Sequence, residues 1–159
     1  MYNIGDKIVC PMHGAGVIES IEEKEILGEK QNYYVVKMPI GDMKVMIPIN
    51  NSEEIGIRQV VDEDLAEKVL DMLSDRKVTI NTNWSKRYRD NMAKIKSGDI
   101  FEVADVVKCL MVREKQKGLS TGERKMLASA KQILVSELVL AKNMRQDEIE
   151  RIINHNLGA

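Results

Sequence analysis

Cys10 and His13 flank Pro11-Met12 at the spacing of half a zinc site, but a tetrahedral site needs a second pair of ligands. The other Cys and His, Cys109 and His155, lie far along the chain and are not paired with each other. Cys10 therefore reads as a buried thiol and His13 as a turn residue, and no metal is expected. Gly14-Ala15-Gly16 has the glycine density of a phosphate loop, yet no Gly-Lys-Ser/Thr follows and no helix is predicted behind it. A hairpin turn is expected there. A nucleophile needs an orienting base, and the two histidines sit in no recognisable motif, so no triad assembles. Acidic residues stand where solvated faces and helix starts put them. The chain reads as a non-enzyme without cofactor or small-molecule substrate.

The chemistry that does assemble is cationic. Residues 85–145 carry fourteen Lys/Arg against seven Asp/Glu, whereas residues 1–60 carry six against nine, so a net charge of −1 conceals a basic segment. Such asymmetry lets one part of a chain attract a polyanion while the rest keeps it dissolved. Lys86, Arg87 and Arg89 begin one predicted helix, Arg113, Lys115 and Lys117 end another, and Arg124 and Lys125 open the next. The turn at 118–120 would bring the last two clusters together. Phosphate neutralisation takes several cations on one face, each releasing counterions. Trp84, the one tryptophan, sits between Asn81-Thr82-Asn83 and Ser85-Lys86-Arg87. These polar surroundings argue against burial, and an apolar side chain presented among cations can wedge between base steps in a minor groove.

The elements that must position these residues fall into two kinds. Short β-branched or aromatic runs at 7–10, 17–21, 33–38 and 43–49 read as strands, separated by turn signals at 11–16, 27–29 and 39–42. All three prolines lie among them, at strand ends. From residue 62 the period becomes helical. Leu65, Val69, Met72 and Leu73 follow the acidic start 62–64, and Ile100, Val103, Ala104, Val107, Leu110 and Met111 form a second stripe that should stop at Gly118. Ser120 and Glu123 fit a capping box ahead of a long amphipathic helix carrying Met126, Ala130, Ile133, Leu134 and Leu138. Residues 146–155 suit a last short helix, and the polar stretch 74–83 reads as a linker. The predicted fold class is α+β: a small β-barrel or strongly bent sheet as one domain over 1–60, a connecting helix and linker over 61–83, and an all-α domain over 84–159.

With one Phe and ten Met, the core must be aliphatic. No apolar run approaches the roughly 18 residues of a spanning helix, and the N-terminal residues lack the apolar stretch of a secretory signal. A cytoplasmic protein with reduced cysteines and no membrane partner is expected.

Asn83-Trp84-Ser85-Lys86-Arg87-Tyr88, Ser97-Gly98-Asp99, Val103-Ala104-Asp105-Val106-Val107 and the run GLSTGERKMLASAKQILVSELVLA over 118–141 closely resemble the CarD/CdnL family of bacterial transcription regulators. In the N-terminal half Gly5-Asp6-Lys7-Ile8-Val9, Pro11 with His13-Gly14, Ile26-Leu27-Gly28-Glu29 and Pro48 agree. That half alone also resembles the polymerase-interacting domain of transcription-repair coupling factors. The resemblance implies a Tudor-like β domain that docks on the RNA polymerase β subunit, with Lys24, Lys44 and Met46 on the docking side. It also implies a helical domain that contacts promoter DNA at the upstream edge of the bubble and stabilises the open complex. There Trp84 matches a minor-groove wedge, and Lys86, Arg87, Arg89, Arg113, Arg124 and Lys125 match basic positions that hold the backbone with little sequence specificity. Met46 stands where Arg is frequent in the family and Cys10 where an aromatic is common. The alternative reading is a nucleoid or RNA-binding protein that acts without polymerase.

Overall fold

In the computed structural model, which describes residues 1–75 and 77–157, the chain is α+β. Arg76 of the linker and residues 158 and 159 lie outside the described residues. Five antiparallel strands come first: β1 (Lys7–Cys10), β2 (Gly14–Ile26), β3 (Glu29–Lys37), β4 (Lys44–Pro48) and β5 (Arg58–Gln59). They are ordered β4-β3-β2-β1-β5, which leaves β4 and β5 at the edges. One face packs Ile8, Cys10, Ile18, Tyr34, Val36 and Ile47 into a small core. The Tyr34 hydroxyl accepts the Tyr2 backbone N–H at 3.0 Å, tying down the chain start.

β2 and β3 outrun the strands expected at 17–21 and 33–38. Their outer halves, Glu22 to Ile26 and Glu29 to Asn32, are largely charged or polar and exposed, so no apolar alternation marks them. They are held by the ladder and by a two-residue turn in which Leu27 (φ 53°) and Gly28 (φ 81°) both take left-handed backbone. Two successive positive φ values match the right-handed twist of the flanking strands.

The Gly14-Ala15-Gly16 expectation needs correction. The hairpin turn is 11–13, with Cys10 opposite Gly14, and both glycines lie inside β2. A Cβ on Gly14 would stand 2.7 Å from Ser136 Oγ, and one on Gly16 would stand 2.6 Å from Val36 Cγ1. Close approach calls for glycine at both positions, and at Gly14 the left-handed backbone (φ 108°) beside the turn does so as well.

The helices follow: the short α1 (Ser52–Ile55), then α2 (Glu63–Ser74), α3 (Trp84–Lys96), α4 (Ile100–Gln116), α5 (Thr121–Lys142) and α6 (Gln146–Leu157). The starts of α2 to α5 are sealed by the side chains of Asp62, Asn83, Asp99 and Ser120, each accepting a first-turn backbone N–H. Leu73, Val107, Leu110, Leu134, Leu138, Ile149 and Ile153 make one aliphatic core, and α2 contributes Ala66, Val69 and Leu70 to it. The long α5 also packs against the sheet. Ser136 Oγ accepts the Ala15 N–H at 2.9 Å, and Lys7 Nζ donates to the Leu140 carbonyl at 3.2 Å.

Candidate interaction surfaces

Trp84 is the first residue of α3, and 46% of it is exposed. Its ring stacks on Tyr88, one turn along, with centroids 5.2 Å apart and planes 22° from parallel. The indole Nε1–H donates to Ser120 Oγ at 3.1 Å, which fixes the ring against the start of α5. Upstream, Asn81 Oδ1 accepts the Asn83 N–H at 2.8 Å, and Asn83 Oδ1 accepts the Lys86 N–H at 3.1 Å. The tryptophan is thus held on one side and open on the other. Its partner Ser120 also accepts the Glu123 N–H at 3.2 Å and lies 3.3 Å from Glu123 Oε1, so one hydroxyl serves as donor and double acceptor.

The cations separate by exposure. Lys86, Arg89, Arg124 and Lys125 are exposed. Lys86 reaches Asp90 at 3.5 Å, and Arg124 reaches Glu114 at 3.7 Å from the start of α5 to the end of α4. Contacts this exposed are weak and compete poorly with a polyanion.

Arg87 departs from the surface placement expected of it. It is 6% exposed and forks onto Glu123, itself 2% exposed, with Nε to Oε2 at 2.8 Å and Nη2 to Oε1 at 3.1 Å. The hydrogen bonds of the pair outweigh desolvation, raising the Arg87 pKa and holding the Glu123 carboxyl below its usual range. A helical arginine one position from the exposed Lys86 turns inward because α3 rotates about 100° per residue. Its cation is consumed within the fold and is not free for a phosphate. Arg113 is likewise half-buried rather than on the open surface.

On the sheet, β4 is an edge strand whose residues Met46 and Lys44 lie opposite Val35 and Lys37. The register carries that face across β3 to Ser20 and Val17 and, past an irregularity at Glu19, out along Glu22 to Lys24. Lys24, Lys44 and Met46 therefore share the face away from the Ile8–Tyr34–Ile47 core. Lys44 Nζ lies 2.9 Å from a Glu19 carboxylate oxygen, and Met46 is 39% exposed. An edge strand offers unpaired backbone to a partner, with alternate side chains for selection.

Cys10 is buried and His13 is exposed in the 11–13 turn. Among the described residues no three His, Cys, Asp or Glu side chains cluster as metal ligands, and no helix is long and apolar enough to cross a membrane. Three residues that sequence reasoning did not single out tie the molecule together: Tyr88 under Trp84, and Arg58 with Glu137 between sheet and helices. Arg58 and Glu137 are far apart in sequence, and no local pattern joins them.

Residues 2–61 match the CarD-like/TRCF RID domain, and residues 68–154 match the CarD C-terminal domain. The chain belongs to the CarD family. It is 44% identical over 150 residues to "Putative transcription factor YdeB" of Bacillus subtilis (strain 168), an alignment covering 94% of this chain and 98% of that protein. CarD proteins are transcription factors and not enzymes. The CarD-like/TRCF RID match coincides with the strand domain, and the C-terminal match spans most of α2 through α6.

Proposed function

We propose that this CarD-family protein docks on the RNA polymerase β subunit through the face carrying Lys24, Lys44 and Met46, and contacts promoter DNA through Trp84 with Lys86, Arg89, Arg124 and Lys125. The observation that carries the reading is the exposed Trp84 ring, braced by Tyr88 and Ser120 and left open on its other face. Unstacking a base step costs a few kcal/mol, least where the duplex is already distorted. A wedge delivered by a docked domain to the upstream edge of a melting bubble meets that lower cost. It favours the open complex by its differential affinity for the two states, and about 1.4 kcal/mol gives a tenfold shift.

The experiment is capture of purified RNA polymerase followed by open-complex lifetime with wild type and Trp84→Ala. The expected result is equal capture and a shortened lifetime. Without polymerase, duplex binding should be weak and sequence-tolerant. Its affinity should fall by about 0.9 log units per decade of salt for each phosphate contacted. Tight binding to random duplex with no capture of polymerase would instead identify a nucleoid-type protein.

A further inference from the structure

Between the linker residues Thr79, Ile80 and Asn81, α3 and α4 lies a cavity of about 80 Å³ whose lining includes Arg87, Lys94 and Arg113. A single water needs roughly 10–15 Å³ of such space, so the cavity exceeds one solvent molecule. Two of the three cations are already matched: Arg87 by Glu123, and Lys94 by Asp105. Arg113 differs from them. Its Nε is sealed from solvent and has no hydrogen-bond partner among the described residues. Asp90, which also lines the cavity, and Glu114 make exposed ion pairs with Lys86 and Arg124, and neither accepts a hydrogen bond from Arg113 Nε.

A buried guanidinium nitrogen without an acceptor is costly and rare in native folds. A water could accept its hydrogen bond but would bring no charge to pair with the guanidinium. An oxyanion answers both. Thr79 and Asn81 from the linker and Asn91 from α3, side chains that carry hydroxyl or amide groups, line the same space as the guanidinium. Donors supplied from several elements suit an ion with acceptors in several directions better than a planar carboxylate, and an arginine fork binds phosphate oxygens well.

We propose that this cavity is a binding site for one phosphate group, either the free ion or the terminal phosphate of a nucleotide, with Arg113 as its principal donor. The site adjoins the segment that presents Trp84. Arg87 Nη1 already donates to the Asn81 carbonyl at 2.9 Å, and Asn81 Oδ1 holds the Asn83 N–H that precedes the tryptophan. An occupied site stiffens that segment. The proposal stands independently of DNA or polymerase binding.

The test is a titration of the full chain with inorganic phosphate, and separately with adenosine monophosphate, against chloride at equal ionic strength. It follows the backbone amides of Asn81 and Asn83 and the Trp84 indole N–H by NMR. Saturable shifts are expected with at least one probe, and the probe that binds identifies the source. Arg113→Met should weaken binding about tenfold or more, whereas Lys30→Met on the distant hairpin should leave it unchanged. Arg113→Lys, which keeps the charge but loses the fork, should fall between them and carries the test if the Met variant does not fold. The absence of shifts with both probes, or wild-type titration by both Arg113 variants, would overturn the assignment.

Discussion

Arg58 and Glu137 clasp across the junction of sheet and helices, Nη1 to Oε2 and Nη2 to Oε1, each at 2.7 Å. Arg58 Nε also donates to the Gly98 carbonyl at 2.8 Å, and Glu137 Oε2 accepts the Val61 N–H at 3.0 Å. One side-chain pair thus links β5, the residue that leads into α2, the α3–α4 turn and α5. Glu137 is 3% exposed, so removing its partner strands a buried carboxylate. Arg58→Met should cost about 2–5 kcal/mol in urea unfolding. The double variant Arg58→Met/Glu137→Met should recover much of that loss, because it leaves no orphaned charge.

The Arg87–Glu123 pair makes a related prediction with a pH signature. Glu123 binds its proton less readily folded than unfolded, so the unfolded chain holds more protons in the acid range. Its contribution is complete above the ordinary carboxylate value of 4.5 and is lost as pH falls through the lower folded-state value. Glu123→Leu should therefore lower stability by about 3–5 kcal/mol at neutral pH. It should also flatten the acid limb of the stability–pH curve, measured by denaturant melts from pH 3 to 7.

Trp84 stacks on Tyr88 without entering the core. Trp84→Ala should therefore cost only about 0.5–1.5 kcal/mol, well short of the roughly 3–5 kcal/mol of a core Trp→Ala. A thermal melt beside the open-complex assay checks this. A near-normal melting temperature with a shortened lifetime separates a contact role from a packing role.

On the face proposed to meet polymerase, Lys24→Glu and Met46→Glu alter exposed side chains of the sheet, so each should change stability by no more than about 0.5 kcal/mol. Both should weaken capture of RNA polymerase in a pull-down, whereas Met46→Arg should strengthen it. Unchanged capture by both Glu variants would remove this face from the proposal.

The thiols should be inert in the native state. Burial pushes the Cys10 pKa up to about 12 and, with the nearby Asp105, that of Cys109 up to about 11. The thiolate is the reacting form, so at pH 8 a disulfide reagent should label both cysteines slowly in buffer and rapidly in urea.

Much of this protein is local and could be read along the chain. The cap at Ser120, the acidic start of α2, the stripes of α2, α4 and α5, and the turn at Leu27-Gly28 are set by neighbours within about one turn, where periodicity and capping chemistry operate. The charge asymmetry and the exposed setting of Trp84 were visible for the same reason. What tertiary structure decided is the fate of charges whose partners lie far off in sequence. Arg87 looked equivalent to Lys86 until Glu123, 36 positions on, drew it inward. Arg58 and Glu137 meet across 79 positions to join the two halves. Gly14 and Gly16 read as a turn because a Gly-x-Gly pattern carries no record of what approaches it, and only the fold brings Ser136 and Val36 close enough to exclude a Cβ. Local sequence specifies backbone preference, but burial and charge pairing depend on which surfaces the folded chain brings together.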